Sequence, residues 1–148
     1  AGPTAFVLSR QNLPVCTDGS AVARGGAIVS EPASGPAIAI VATGSEVHLA
    51  LAASERLAAD GIGVRVVSLP SWDRFASQDR AYRESVLPQA LPTLSVEAAT
   101  TFGWDRYADD CLGIDRFGAS APGGVVMEKL GINIDHVVAR ATRLARGN

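Results

Sequence analysis

Cysteine is nearly absent from this 148-residue sequence, and Cys16 and Cys111 form no metal-ligand spacing. With 47% hydrophobic residues the chain needs no disulfide framework to build a core. Histidine is as scarce. His48 and His136 each fall on a predicted helix with no Cys, His or carboxylate at ligand spacing, so both read as structural residues. No run of 18 apolar residues could span a membrane as a helix. Neither sign of charge dominates: 13 Lys and Arg face 15 Asp and Glu, which removes the basic excess that drives non-specific binding to nucleic acid or membrane surfaces. No charged segment followed by an apolar one opens the chain, so no secretory signal is expected, and with two cysteines a reduced, cytoplasmic setting is the expectation. A GxSxG elbow, a Walker pattern, internal repeats and low-complexity tracts are also missing. One soluble domain remains.

What is there is strongly ordered. AIAIVA (37 to 42) is an apolar, β-branched run that meets TGSE and then VHLALAASERLAADG, whose apolar residues recur at helical spacing. Thr43 and Glu46 have capping-box spacing and predict a helix from about Gly44. Val47, Ala50, Leu51, Ser54, Leu57 and Ala58 form its apolar stripe, and Gly61 stops it. VRVVSL (64 to 69) completes a strand, helix, strand unit with parallel strands. Two short helical pieces lie between Pro70 and Pro88, the second from near Ser77. Further strands are predicted at TLSVEA (93 to 98) and Cys111 to Ile114, with GGAIVS (25 to 30) as an edge strand. Two closing helices follow at Gly123 to Leu130 and Asp135 to Ala145, the second capped by Asn133 or Asp135 and cored by Val137, Val138, Ala141, Leu144 and Ala145. Five mostly parallel strands with helices on both faces make the class α/β. Phe6, Val7 and Leu8 read as a further short buried strand, and residues 13 to 25 as a linker.

Few residues are candidates for chemistry. Arg10 follows the apolar run at 6 to 8 and must find solvent, a carboxylate or an anionic ligand. The turn ATGSEV sits where a doubly wound fold binds ligands, yet one glycine is no fingerprint, and a plain capped turn is the stronger reading. IDRFGASAP (114 to 122) is a dense charged loop: either Asp115 or Arg116 braces a neighbouring turn, or the loop meets a ligand or partner. TFGWDRYAD concentrates Phe102, Trp104 and Tyr107 in a chain with 5% aromatics, as a core plug or a contact surface.

In order, LSRQNLP, ARGGAIVS, IVATGSEVHLALAA, VRVVSLPSWDRF, YRESVLP, the Phe-Gly-Trp segment and GIDRFGASAP resemble the transketolase family, specifically its C-terminal part. The resemblance covers nearly the whole chain. It implies a three-layer α/β/α sandwich with a five-stranded mixed, mostly parallel sheet whose edge strand is antiparallel. It also implies that residues 1–24 end a preceding pyrimidine-binding domain and a linker, while 25–148 form the C-terminal domain. That family uses thiamine diphosphate and a divalent metal, magnesium or calcium, to move a two-carbon ketol unit between sugar phosphates in the pentose phosphate pathway, as a homodimer. Its cofactor-binding and metal-binding elements lie in other domains, so the resemblance assigns no cofactor, metal or catalytic residue here and implies an inactive isolated chain. Arg10 matches the family's contact to the substrate phosphate, and Trp104, Asp115, Arg116 and Phe117 become interface candidates toward the remaining domains or the second subunit. A related thiamine enzyme such as deoxyxylulose-phosphate synthase, or a free-standing α/β module binding an anion at ATGSE, is the alternative. Residues 109 to 111 and the Gly123-Gly124 pair are less typical of the family and leave loop lengths open.

Overall fold

Alternation of side chains along five short strands decides the architecture. The computed structural model describes residues 2–8 and 11–147. Strands β1 (Ala27–Ser30), β2 (Ile38–Ala42), β3 (Val64–Ser68), β4 (Thr93–Val96) and β5 (Asp110–Leu112) form one sheet in the order β1-β3-β2-β4-β5. β1 pairs antiparallel with β3, and every other pairing is parallel. This is the expected mixed sheet with its antiparallel edge.

On one face Ile38, Ile40, Val64, Val66, Leu94 and Val96 pack under helices α1 (Glu46–Ala59) and α5 (Ile134–Ala145). On the other face Val41 and Val67 meet Phe75 of α2 (Trp72–Ala76), Val86 of α3 (Arg80–Val86) and Trp104 of a 3-10 turn at Trp104–Arg106. Both faces are therefore dry, and all five residues of β2 are fully buried. Each such Ile, Val, Leu or Phe contributes about 1.5–3 kcal/mol relative to exposure. Helix α4 (Gly123–Leu130) lies at the margin, with only Met127 packed against the α1–α5 face.

Polar anchors fix the periphery. Arg65 of β3 forks onto both carboxylate oxygens of Glu31 at 2.7 and 2.8 Å and donates to the carbonyls of Ser85 and Val86 at the end of α3. That hydrogen bonding holds the Glu31 carboxyl below its usual range. Asp110 joins β5 to α5 through Arg140 and Arg143. Gly25, at φ 85°, lets the chain enter the sheet: a Cβ there would lie 2.4 Å from the Phe75 nitrogen and the Ser71 oxygen.

Local expectations are corrected in two places. Phe6, Val7 and Leu8 form no strand and are 75%, 98% and 81% exposed, because no other described strand pairs with them. The expected linker, residues 13 to 25, contains a 3-10 turn at Ser20–Arg24. Helix α1 begins at Glu46, not Gly44, and neither Thr43 nor Ser45 caps it with its side chain. Gly44 stands at φ 57°, outside the helical region, and Glu46 turns inward at 5% exposure. The buried stripe of α1 accordingly runs through Glu46, Val47, Ala50, Ala53 and Leu57, leaving Ala58 exposed. Asn133 caps α5, accepting from the His136 nitrogen at 2.9 Å.

Candidate functional site

The loops at the carboxyl end of the parallel strands gather most of the residues singled out by the sequence. β2 passes through α1 to β3 on one side, whereas β3 passes through α2 and α3 to β4 on the other, so the connections diverge between β2 and β4. In open α/β sheets that is where ligands are received.

Asp115, in the loop after β5, accepts from the Thr100 hydroxyl at 2.9 Å, the Thr101 amide at 2.8 Å and the Thr101 hydroxyl at 2.8 Å. These donors favour the charged form and hold its carboxyl below the usual range. The bracing role is therefore met. Backbone closeness reinforces it: the Ile114 amide donates to the Ala99 carbonyl at 2.7 Å, and a Cβ on Gly113 would come within 2.8 Å of that oxygen.

Arg116 is exposed and reaches only the Lys129 carbonyl at 3.4 Å. Phe117 is 99% exposed and Phe102 86% exposed, on either side of the Asp115 anchor. Trp104, expected as an interface residue, is instead a core residue at 2% exposure. It meets Trp72 edge-on with ring centroids 4.9 Å apart, so it has almost no surface to offer a partner. Tyr107 completes that plug, and desolvation raises its phenol. The aromatic segment thus splits between core and surface. Arg10 lies outside the described residues.

Glu97, directly after β4, escaped the sequence reading. Burial, with the charge of Glu46, pushes its carboxyl up to about 7. A glutamate at the end of a buried parallel strand was the available signal. Two carboxyl groups at the head of α1 also oppose the anion-binding alternative, since Glu46 itself occupies the positive end of that helix.

The two histidines sit on different helices, the cysteines are both free, and the described residues contain no group of three or more His, Cys, Asp or Glu able to hold a metal ion. No described helix is long and apolar enough to cross a membrane.

Residues 25–133 match the family model described as the transketolase-like TK C-terminal domain. The chain is 49% identical over 148 residues to a transketolase of Nostoc sp., covering 96% of this chain and 22% of that protein. Among solved structures it superposes on transketolase from Leishmania mexicana with TM-score 0.84 at 40% identity, covering 88% of this chain and 19% of that one. A transketolase complex with sedoheptulose-7-phosphate from Pichia stipitis gives TM-score 0.87 at 38% identity, covering 93% and 20%. The chain spans about a fifth of the length of these relatives. The match of residues 25–133 to the family model, and identity of this degree across nearly its whole length, place the chain in the transketolase-like C-terminal domain family.

Proposed function

We propose that this chain works as the C-terminal domain of a longer transketolase polypeptide, residues 25–148 forming the domain and 1–24 leading out of the one before it. The observation that carries the reading is an outward-facing loop braced by Asp115. Asp115 pins Thr100 and Thr101 while Phe102 and Phe117 stand in solvent. Such a surface supports packing against the other domains or the second subunit of a homodimer, with Asp115, Arg116 and Phe117 as its residues.

In this reading the longer polypeptide moves a two-carbon ketol unit between sugar phosphates. Thiamine diphosphate and its metal, magnesium or calcium, bind to segments beyond this chain. Arg10 supplies a guanidinium fork to the substrate phosphate. The name of one relative's complex, with sedoheptulose-7-phosphate, supports the substrate class. Two free cysteines support a reduced, cytoplasmic setting.

The test is turnover. The 148-residue chain, mixed with thiamine diphosphate, magnesium and sugar phosphates, is expected to give none, and the longer polypeptide is expected to be active. In that polypeptide Arg10→Ala should lower kcat/KM for phosphorylated sugars far more than for unphosphorylated ones. Turnover by the purified 148-residue chain, or equal losses on both substrate types, would overturn the respective assignment.

A further inference from the structure

On the outer surface of the domain two opposite charges lie close together and do not pair. Arg116, in the loop after β5, reaches the last turn of α4 but stops at the Lys129 carbonyl, at 3.4 Å. Glu128 stands beside it on that turn and is exposed. The four ion pairs among the described residues join other groups: Arg56 to Asp135, Arg65 to Glu31, and Arg140 and Arg143 to Asp110. Neither Arg116 nor Glu128 has a described partner of opposite charge.

Apolar groups stand on the same surface. Phe117, next to Arg116, is 99% exposed, and Val125, 52% exposed, shares the outward face of α4 with Glu128 three residues on, while Met127 packs inward. An added Cβ at Gly118, Gly123 or Gly124 would meet nothing within 4 Å, so the stretch between Phe117 and Val125 is open to an approaching chain. Aromatic and arginine side chains are what partner-facing surfaces concentrate.

Position in the sheet selects the partner. Residues 16–18, through which the chain comes in from any preceding domain, line a cleft against Ala27–Val29 of β1. β1 and β5 are opposite edges, four strand spacings or roughly 19 Å apart, so such a domain joins the sheet at the edge away from this loop. Nor does β5 offer itself to a sixth strand: the Cys111 amide donates to the Asp110 carboxylate at 2.9 Å, and its carbonyl accepts from Arg140 at 2.7 Å.

In a two-fold contact, residue i meeting j is matched by j meeting i, so a surface that carries a cation and an anion side by side fits a copy of itself. Two charges of each sign stand here, Arg116 and Lys129 against Glu128 and the Asp115 spent on Thr100 and Thr101, and net repulsion is absent. We propose that the loop at 113–122 and the outward face of α4 form a two-fold contact with a second copy of this chain, in which Arg116 of each copy meets Glu128 of the other and both Phe117 rings leave water. The inference rests on reading the loop as a packing surface and adds which partner it packs against.

The experiment is sedimentation equilibrium of the 148-residue chain up to about 1 mM, with Arg116→Glu and Glu128→Arg each alone and then mixed in equal amounts. A contact of this small size should hold with a Kd of about 100 µM. Each variant alone sets like charges opposite each other twice and should weaken association at least about tenfold. In the mixture the glutamate introduced in one variant faces the arginine introduced in the other, and the native Glu128 and Arg116 still meet. Association should then return to within about threefold of the native value, a recovery that altered folding does not produce. Should a variant fail to fold, the native chain decides: its association should weaken about tenfold as salt rises from about 0.05 to 0.5 M, and association indifferent to salt would overturn the pairing. A native chain still monomeric at about 1 mM, or variants that do not recover on mixing, would overturn the proposal as well. Each of these failures leaves the packing reading standing, because that reading is tested separately, by Phe117→Asp in the longer polypeptide.

Discussion

Asp115 shows how one exposed side chain organises a surface without catalysing anything. Its three acceptor contacts take up the donors that Thr100 and Thr101 would otherwise offer to water, and so tie the loop after β5 to the segment that leads into Phe102. Asp115→Ala should therefore act locally: amide exchange at Thr101 should quicken at least tenfold while the midpoint of global unfolding barely moves. Because the folded carboxyl sits below its ordinary value of 3.8, its contribution is present above that value and is lost as pH falls through the lower folded one. Protection of the Thr101 amide should thus hold from pH 7 to 4.5 and fail only in stronger acid. Exchange that stayed slow in Asp115→Ala, or failed already near pH 6, would remove the brace. The response is opposite in sign to that of Glu97, which loses its contribution as pH rises.

At the scale of elements, entry into the sheet depends on Gly25. Its φ of 85° is one that a side chain disfavours, and an added Cβ would strike the backbone of α2 at 2.4 Å, while its carbonyl accepts from the Ser71 amide at 3.0 Å. Gly61 offers the comparison, with φ 76° and nothing within 4 Å of an added Cβ. Gly61→Ala should cost about 1 kcal/mol, and Gly25→Ala about 2 to 4 kcal/mol, in denaturant unfolding. Equal costs would show that packing at Gly25 is slack. Strands such as 37–42 and 64–69 were legible in the sequence because their apolar, β-branched runs already satisfy a two-sided burial. The start of α1 was not, since the left-handed Gly44 and the inward Glu46 answer to the neighbouring strand ends, and spacing along one segment carries no trace of them. Phe6 to Leu8 misled for the same reason: a strand is a property of a pair. The fork from Arg65 to Glu31 joins residues that only the completed sheet brings together.

For the molecule as a whole, the distribution of aromatic side chains separates what stabilises the domain from what it presents. Trp72, Trp104, Phe75 and Tyr107 interlock edge-on beneath the sheet, whereas Phe102 and Phe117 stand almost fully in water on a loop that Asp115 holds rigid. Holding a Phe in water forgoes about 1.5–3 kcal/mol that burial against a partner would recover. Phe117→Asp separates the two roles. In the 148-residue chain Phe117 is 99% exposed, so the change should alter unfolding free energy by no more than about 0.5 kcal/mol. In the longer polypeptide the same substitution would replace an apolar contact by a charge, and the subunit or domain contact should weaken by about a hundredfold or more. Sedimentation of the longer polypeptide across a dilution series, with melting of both forms, measures the difference. Loss of stability in the 148-residue chain would mean that Phe117 belongs to its own packing. If association and melting were unchanged in the longer polypeptide, the loop at 113–122 would face solvent there too, and the packing role would have to move to another surface of the domain.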